Sequence, residues 1–311
     1  RYLRLYQWQP DGRKYLQVIS KDDLRAAVGS GLVSEAQAAS LTALADSRRG
    51  AREHLAPGDE PFELFKGFNE IFIVVGLGIL TMGWIAVVTA SMLTEIVNYK
   101  TQMTTAALIG AAILWGLSEY FIRRRRMIAP AIALSVLFGA NAAMGLVAQF
   151  AQPFMIAQED YSSLPLALSL STLALLIYWW RFRVPFAMAL IALGLFAVAL
   201  ILAADQSGAP TEIGDLFLLS ANGPFAWITL LVGMLVFGVA MIFDLSDPHR
   251  VTRRSAQGFW LHVVAAPALV NTTALTLLDN DQGFILAVVL GLFALVAIVI
   301  DRRSFLITAI G

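Results

Sequence analysis

The chain has 311 residues, 58% hydrophobic and only 14% charged, with 22 Lys+Arg balancing 22 Asp+Glu. Soluble domains run at roughly 45–50% apolar and about 25% charged, so this composition excludes an ordinary globular enzyme, and the zero net charge offers no basic excess for nucleic acid. Cysteine is absent, which excludes disulfides, iron–sulfur clusters, thiolate zinc sites, covalently attached c-type haem and cysteine nucleophiles.

In chain order, residues 1–60 are polar and lack the apolar run of a signal peptide. Tyr2 to Trp8 form an aromatic–basic segment, Pro10-Asp11-Gly12 a turn, and Tyr15 to Ile19 a short strand that can pair back as a hairpin. Ser20 can cap a helix with Asp22 and Asp23 in its first turn and Gly29-Ser30-Gly31 at its end. Ser34 with Gln37 has the spacing of a capping box and opens a second helix over 35–47. Leu24, Ala27, Val28 and Leu32, then Ala38, Leu41 and Leu44, give these helices an apolar face to set against each other or a protein partner. Pro57 to Pro61 is a linker. Phe62, Leu64, Phe65, Phe68 and Phe72, interleaved with charges, lead through the membrane interface.

A spanning helix needs about 20 predominantly apolar residues. Eight spans are read within a bundle over 61–311: 68–93, 103–122, 127–150, 164–182, 184–204, 224–244, 258–278 and 284–300. Arg123-Arg124-Arg125-Arg126 separates the second from the third. Each arginine costs about 2.5–3.5 kcal/mol at a bilayer centre on insertion scales, so four in a row hold that turn in water. Arg181 with Arg183, His249-Arg250 with Arg253-Arg254, and Arg302-Arg303 fall on the same side. The opposite connections carry Glu95, Glu159, Asp160, Asp205, Glu212, Asp215, Asp279 and Asp281, with Lys100 their single basic residue. The positive-inside rule then places the basic turns and the N-terminus in the cytoplasm. Phe305 to Gly311 reads as a ninth span cut short or a tail packed on the bundle. Arg126 followed by Pro130, and Arg183 followed by Pro185, share the order basic turn, proline, small-residue helix, and suggest a repeated unit.

Few polar residues lie inside the spans. His262 suits a ligand or proton relay but equally a structural hydrogen bond, and no second histidine lies in a span to complete a haem site. Asn271, nine residues on, faces the opposite way at 100° per residue, whereas Thr273 shares the His262 face. Pro267 can bend this span, which is the least lipid-like and the expected centre of the bundle. Asn141 lies within Gly139 to Gly145, where small residues let helices approach and an amide can bond across the contact. Gly110, Gly76, Gly78 and Gly83 invite the same packing reading. Glu119 is placed to pair with Arg123 across one turn, and Asn69 and Glu70 sit at the inner mouth of the first span. No Asp or Glu is near the middle of a span, which weighs against proton- or sodium-coupled transport. No HExxH, P-loop, GxSxG or strand-borne GxGxxG occurs, so no catalytic residue, metal ligand or cofactor site is assigned. The 204–223 connection is a candidate lid, re-entrant segment or docking surface.

The segment Asp23-Leu24 to Gly31-Leu32-Val33-Ser34-Glu35-Ala36-Gln37-Ala38, followed by a run of spans, resembles a family of multi-pass bacterial membrane proteins of unknown function. The late basic turn Asp301-Arg302-Arg303-Ser304-Phe305-Leu306 is similar too. The resemblance implies a short cytosolic helical region ahead of the bundle and further helices after Gly311, and brings no catalytic residues. The expectation is an all-α, polytopic bundle in a bacterial inner membrane, with 1–60 in the cytosol. Its first functional reading is a non-catalytic scaffold, accessory subunit or sensor in contact with lipid and a protein partner. The second is a transporter or channel for a small neutral or lipidic solute, using His262, Thr273 and Asn141.

Overall fold

The computed structural model describes residues 21–48, 68–94, 98–221, 223–247 and 253–300. The expected hairpin near the N-terminus, the 57–61 linker, most of the aromatic lead-in and the ninth span fall outside them. Every regular element among the described residues is helical.

The first two helices form over the expected residues, though the Ser20 cap expected for the first lies outside the described residues. α1 (Lys21–Gly29) carries Asp22 and Asp23 in its first turn. It ends in a Schellman motif: Leu32 N–H bonds Ala27 O at 2.9 Å and Gly31 N–H bonds Val28 O at 3.1 Å. Gly31 adopts φ +76°, a conformation that glycine enters without steric cost. α2 (Glu35–Arg48) opens with the reciprocal box, Ser34 N–H to Gln37 Oε1 at 2.9 Å and Gln37 N–H to Ser34 Oγ at 3.2 Å.

The membrane helices are α3 (Phe68–Thr94), α4 (Tyr99–Ser118), α5 (Ala129–Phe150), α7 (Leu164–Phe182), α8 (Ala187–Ser207), α9 (Phe225–Ser246) and α10 (Arg253–Asp279), with a one-turn helix α6 (Met155–Gln158) between α5 and α7. These seven long helices are long and apolar enough to cross a bilayer, so the chain is a multi-pass membrane protein with an all-α bundle. α11 (Gly283–Ile300) occupies the expected eighth span, but its described apolar stretch, Gly283–Ile298, is shorter than the other seven. Several boundaries differ from expectation: α4 starts four residues before 103, and α8 begins and ends three residues later than 184–204. α10 starts five residues before 258, taking Arg253 and Arg254 into its first turn. The basic quartet is not wholly a turn: Glu119–Arg124 continues α4 as a π-helix, so Arg123 and Arg124 are helical. Hydrophobicity locates where a helix meets lipid, not where its hydrogen bonds stop.

Successive helices pack as hairpins. α4, α5 and α7 form one group, with α3 against α5 and α4; α9, α10 and α11 form another; α8 touches both. Small residues set the closeness. A methyl on Gly145 would collide with the Ala107 methyl, and one on Gly110 would lie 2.6 Å from Asn141 Oδ1. Lipid tails are as apolar as leucine, so such contacts supply the attraction between helices that water supplies in soluble proteins. Gly76, Gly78 and Gly83 do not share this role: nothing among the described residues lies within 4 Å of their missing side chains. Between α4, α5 and α7 the rings of Trp115, Phe138, Tyr178 and Phe182 stack edge and face with centroids 4.6–6.2 Å apart.

Candidate functional site

The polar residues expected inside the bundle do not converge. Asn141 is 8% exposed and donates from Nδ2 to Ala107 O at 2.8 Å, tying α5 to α4. Thr273 donates to Leu269 O at 2.9 Å within α10. Asn271 is half-buried on the other side of that helix. Glu119 accepts from Arg123 at 3.0 Å, as its spacing required, and also from Arg181 at 2.7 Å. The second arginine comes from α7, so Glu119 joins two hairpins. Arg123, Arg124, Arg125 and Arg126 are all exposed, with Arg125 donating to Tyr120 Oη at 3.2 and 3.1 Å.

His262 is fully buried, and its Nε2 lies 2.9 Å from Asp244 Oδ2. Its ring meets Phe237 edge-on at 5.4 Å. Both helices contribute to this placement. Asp244 lies in the last turn of α9, and α10 presents Gly258 one turn before His262. A methyl at Gly258 would sit 2.5 Å from Asp244 Oδ1 and 3.3 Å from Ala240 O. The carboxylate therefore occupies the space that any side chain there would claim. A carboxylate that accepts from an imidazole N–H at this length makes a charge-assisted hydrogen bond, which becomes an ion pair when the ring is protonated.

Asp244 is the functional candidate with no separate signal in the sequence, because it stands at the last position of an apolar run. Its signal is the interval to His262. An aspartate in the last turn of one helix and a histidine nine residues into the next face each other where the two helices pack. Asp247, Ser255 and Gln257, at the same end of α9 and α10, are also buried.

Two further polar joints stand at the same end. Glu70 of α3 is 6% exposed, and its Oε2 accepts the backbone N–H of Ile128 at 3.2 Å and of Ala129 at 2.9 Å. It caps α5 from another helix. Ser118 and Tyr178 share a buried hydrogen bond of 2.8 Å between α4 and α7. The turns themselves are alike in one respect: Arg126 and Arg183 both take φ +53°. Pro130 lies in the first turn of α5, whereas Pro185 precedes the start of α8.

At the opposite end the 204–223 connection is pinned down. Leu219 N–H bonds Thr276 Oγ1 at 3.0 Å, and Ser220 bonds Asp279. Thr211 N–H, Thr211 Oγ1 and Glu212 N–H all donate to Asp215 Oδ2, at 3.0, 2.7 and 3.0 Å. These bonds hold the Asp215 carboxyl below the usual carboxylate range. The segment is anchored to α10 and built around its own cap.

Among the described residues no group of three or more His, Asp or Glu is placed to hold a metal ion. No family model matches the chain, and neither a curated protein nor a solved structure matches it.

Proposed function

We propose that the protein is a non-catalytic component of a bacterial inner membrane, a scaffold, accessory subunit or sensor, with its N-terminal helices and basic turns in the cytoplasm. One observation carries this reading. Among the described residues the buried polar side chains either join helices, as in Asn141 to Ala107, Ser118 to Tyr178 and Glu70 to Ala129, or bond back to their own helix, as Ser171 and Thr272 do. A transport path needs polar groups gathered on a shared, hydrated route. The α1–α2 pair adds a cytosolic element suited to docking, with Leu32 79% exposed beside it. The reading is tested by purifying the protein from its native membrane at natural abundance in a mild detergent. A stoichiometric protein partner, lost when residues 1–60 are removed, is expected. Recovery of the intact chain alone counts against it.

A second reading, a transporter for a neutral or lipidic solute, has one observation in its favour. Asp244 and His262 form a titratable pair inside the helical bundle, and such pairs serve proton relays in membrane carriers. Under that reading Asp244→Asn and His262→Gln each abolish pH-driven uptake in vesicles while the protein remains folded.

A further inference from the structure

A recess of about 560 Å³ opens at the basic end, between the α7–α8 turn and the α9–α10 hairpin. Arg183, Arg253 and Arg254 line it together with Gln257, Trp179 and the apolar Ile242.

Charge comes first. Arg183 lies over the Trp179 ring at 5.0 Å. Neither Arg183 nor Arg253 has a carboxylate partner among the described residues. Of the acids at this end of the bundle, Asp244 is engaged by His262, and Asp247 is 1% exposed. Arg253 and Arg254 stand in the first turn of α10, where the helix carries partial positive charge and acidic side chains are the favoured occupants. Like charges gathered in this way repel unless an anion lies among them.

Hydrogen bonding is the second and independent observation. Gln257 lines the recess, is 5% exposed, and its amide makes no hydrogen bond among the described residues. The Trp179 indole N–H is buried without a partner as well. A largely buried amide side chain without a protein partner is uncommon. The recess thus offers guanidinium forks and an amide, all able to donate to oxyanions. Its apolar edge is lipid-ward: Ile242 is 67% exposed on a membrane helix.

We propose that this recess binds a phosphate oxyanion, supplied by an anionic phospholipid headgroup whose acyl chains run past Ile242. Arg183 and Arg253 clamp the phosphate oxygens, and Gln257 donates from the floor. Basic pockets between membrane helices recognise headgroups through this chemistry. The site stands whether or not the bundle is a scaffold.

The test uses the full chain in nanodiscs of phosphatidylcholine with phosphatidylglycerol, followed by native mass spectrometry of the lipid that stays bound. Phosphatidylglycerol is expected to be retained over phosphatidylcholine. The Arg183→Gln/Arg253→Gln variant loses that retention by about tenfold or more, since each arginine near an anionic surface is worth roughly fivefold. Arg123→Gln/Arg125→Gln, which removes equal charge from the neighbouring turn, leaves it unchanged. Gln257→Leu lowers it about threefold at constant charge, as loss of a single hydrogen-bond donor does. Displacement of the lipid by millimolar inorganic phosphate supports the phosphate site directly. Phosphate binding without lipid retention supports the same site with free phosphate as its source. Equal loss in the two arginine pairs, retention of phosphatidylcholine as strong as that of phosphatidylglycerol, or no loss in Gln257→Leu overturns the proposal in favour of diffuse attraction.

Discussion

Gly258 controls how closely α9 approaches α10 at the Asp244–His262 pair. Its missing side chain is the space that the Asp244 carboxylate fills. Backbone atoms of Ala240 close the other side, so an added methyl has nowhere to go without moving a helix. Gly258→Ala is expected to destabilise the bundle by about 1–3 kcal/mol, the ordinary cost of overpacking, read as a lower unfolding temperature in detergent. Helix propensity alone favours alanine by roughly 0.8–1.0 kcal/mol, so a stabilised variant would show that the carboxylate can retreat. At this scale the sequence was legible by halves. His262 is conspicuous because imidazole is rare in a span. Asp244 is not, because a carboxylate at the end of an apolar run has an adequate explanation as the edge of the membrane. Only the fold, which brings a position 18 residues away within 2.9 Å, makes the two a pair.

Elements were read most accurately where their signals were local. The Schellman end of α1 and the capping box of α2 involve residues within six positions of one another, and the side chains that make them are distinctive. Glu70 shows the opposite case. Its partners are backbone N–H groups 58 and 59 residues away, which carry no residue signature. A carboxylate at a helix N-terminus satisfies orphan donors and meets the positive end of the dipole. Glu70→Ala is therefore expected to cost about 1–2 kcal/mol, with faster amide exchange at Ile128 and Ala129 as its specific mark. The 204–223 connection answers to pH. Asp215 has its pKa lowered below 3.8, first by its bond from Thr211, then by that from Glu212 N–H. A depressed folded pKa means that the stabilisation is fully present above the unfolded value and is lost as pH falls through the folded one. Protease resistance of this loop should hold from neutral pH to about pH 4 and fall below it. In Asp215→Asn that acid step should be absent.

For the whole molecule, two physical patterns answer separate questions. Apolar length, with small residues at the helix contacts, gives an all-α bundle whose two groups meet at α8. The uneven placement of arginine is expected to set its direction, since moving such charges across the bilayer is what insertion resists. The absence of cysteine makes that direction directly measurable, because each introduced thiol reports alone. Arg125→Cys should react with a membrane-impermeant maleimide only after the cytoplasmic face is opened. Asp160→Cys and Thr211→Cys should react in intact cells. The same assay decides whether α11 spans. Its described apolar stretch, Gly283–Ile298, would be about 24 Å long as an α-helix, somewhat short of a hydrocarbon core of about 30 Å. Thinning of the bilayer, or the snorkelling of Arg302 and Arg303, can make up such a difference. Asp281→Cys is expected to label from outside and Arg303→Cys only from inside. If both label from outside, α11 lies along the surface or re-enters, the span count stops at seven, and Arg302-Arg303 departs from the charge rule that orients the rest of the chain.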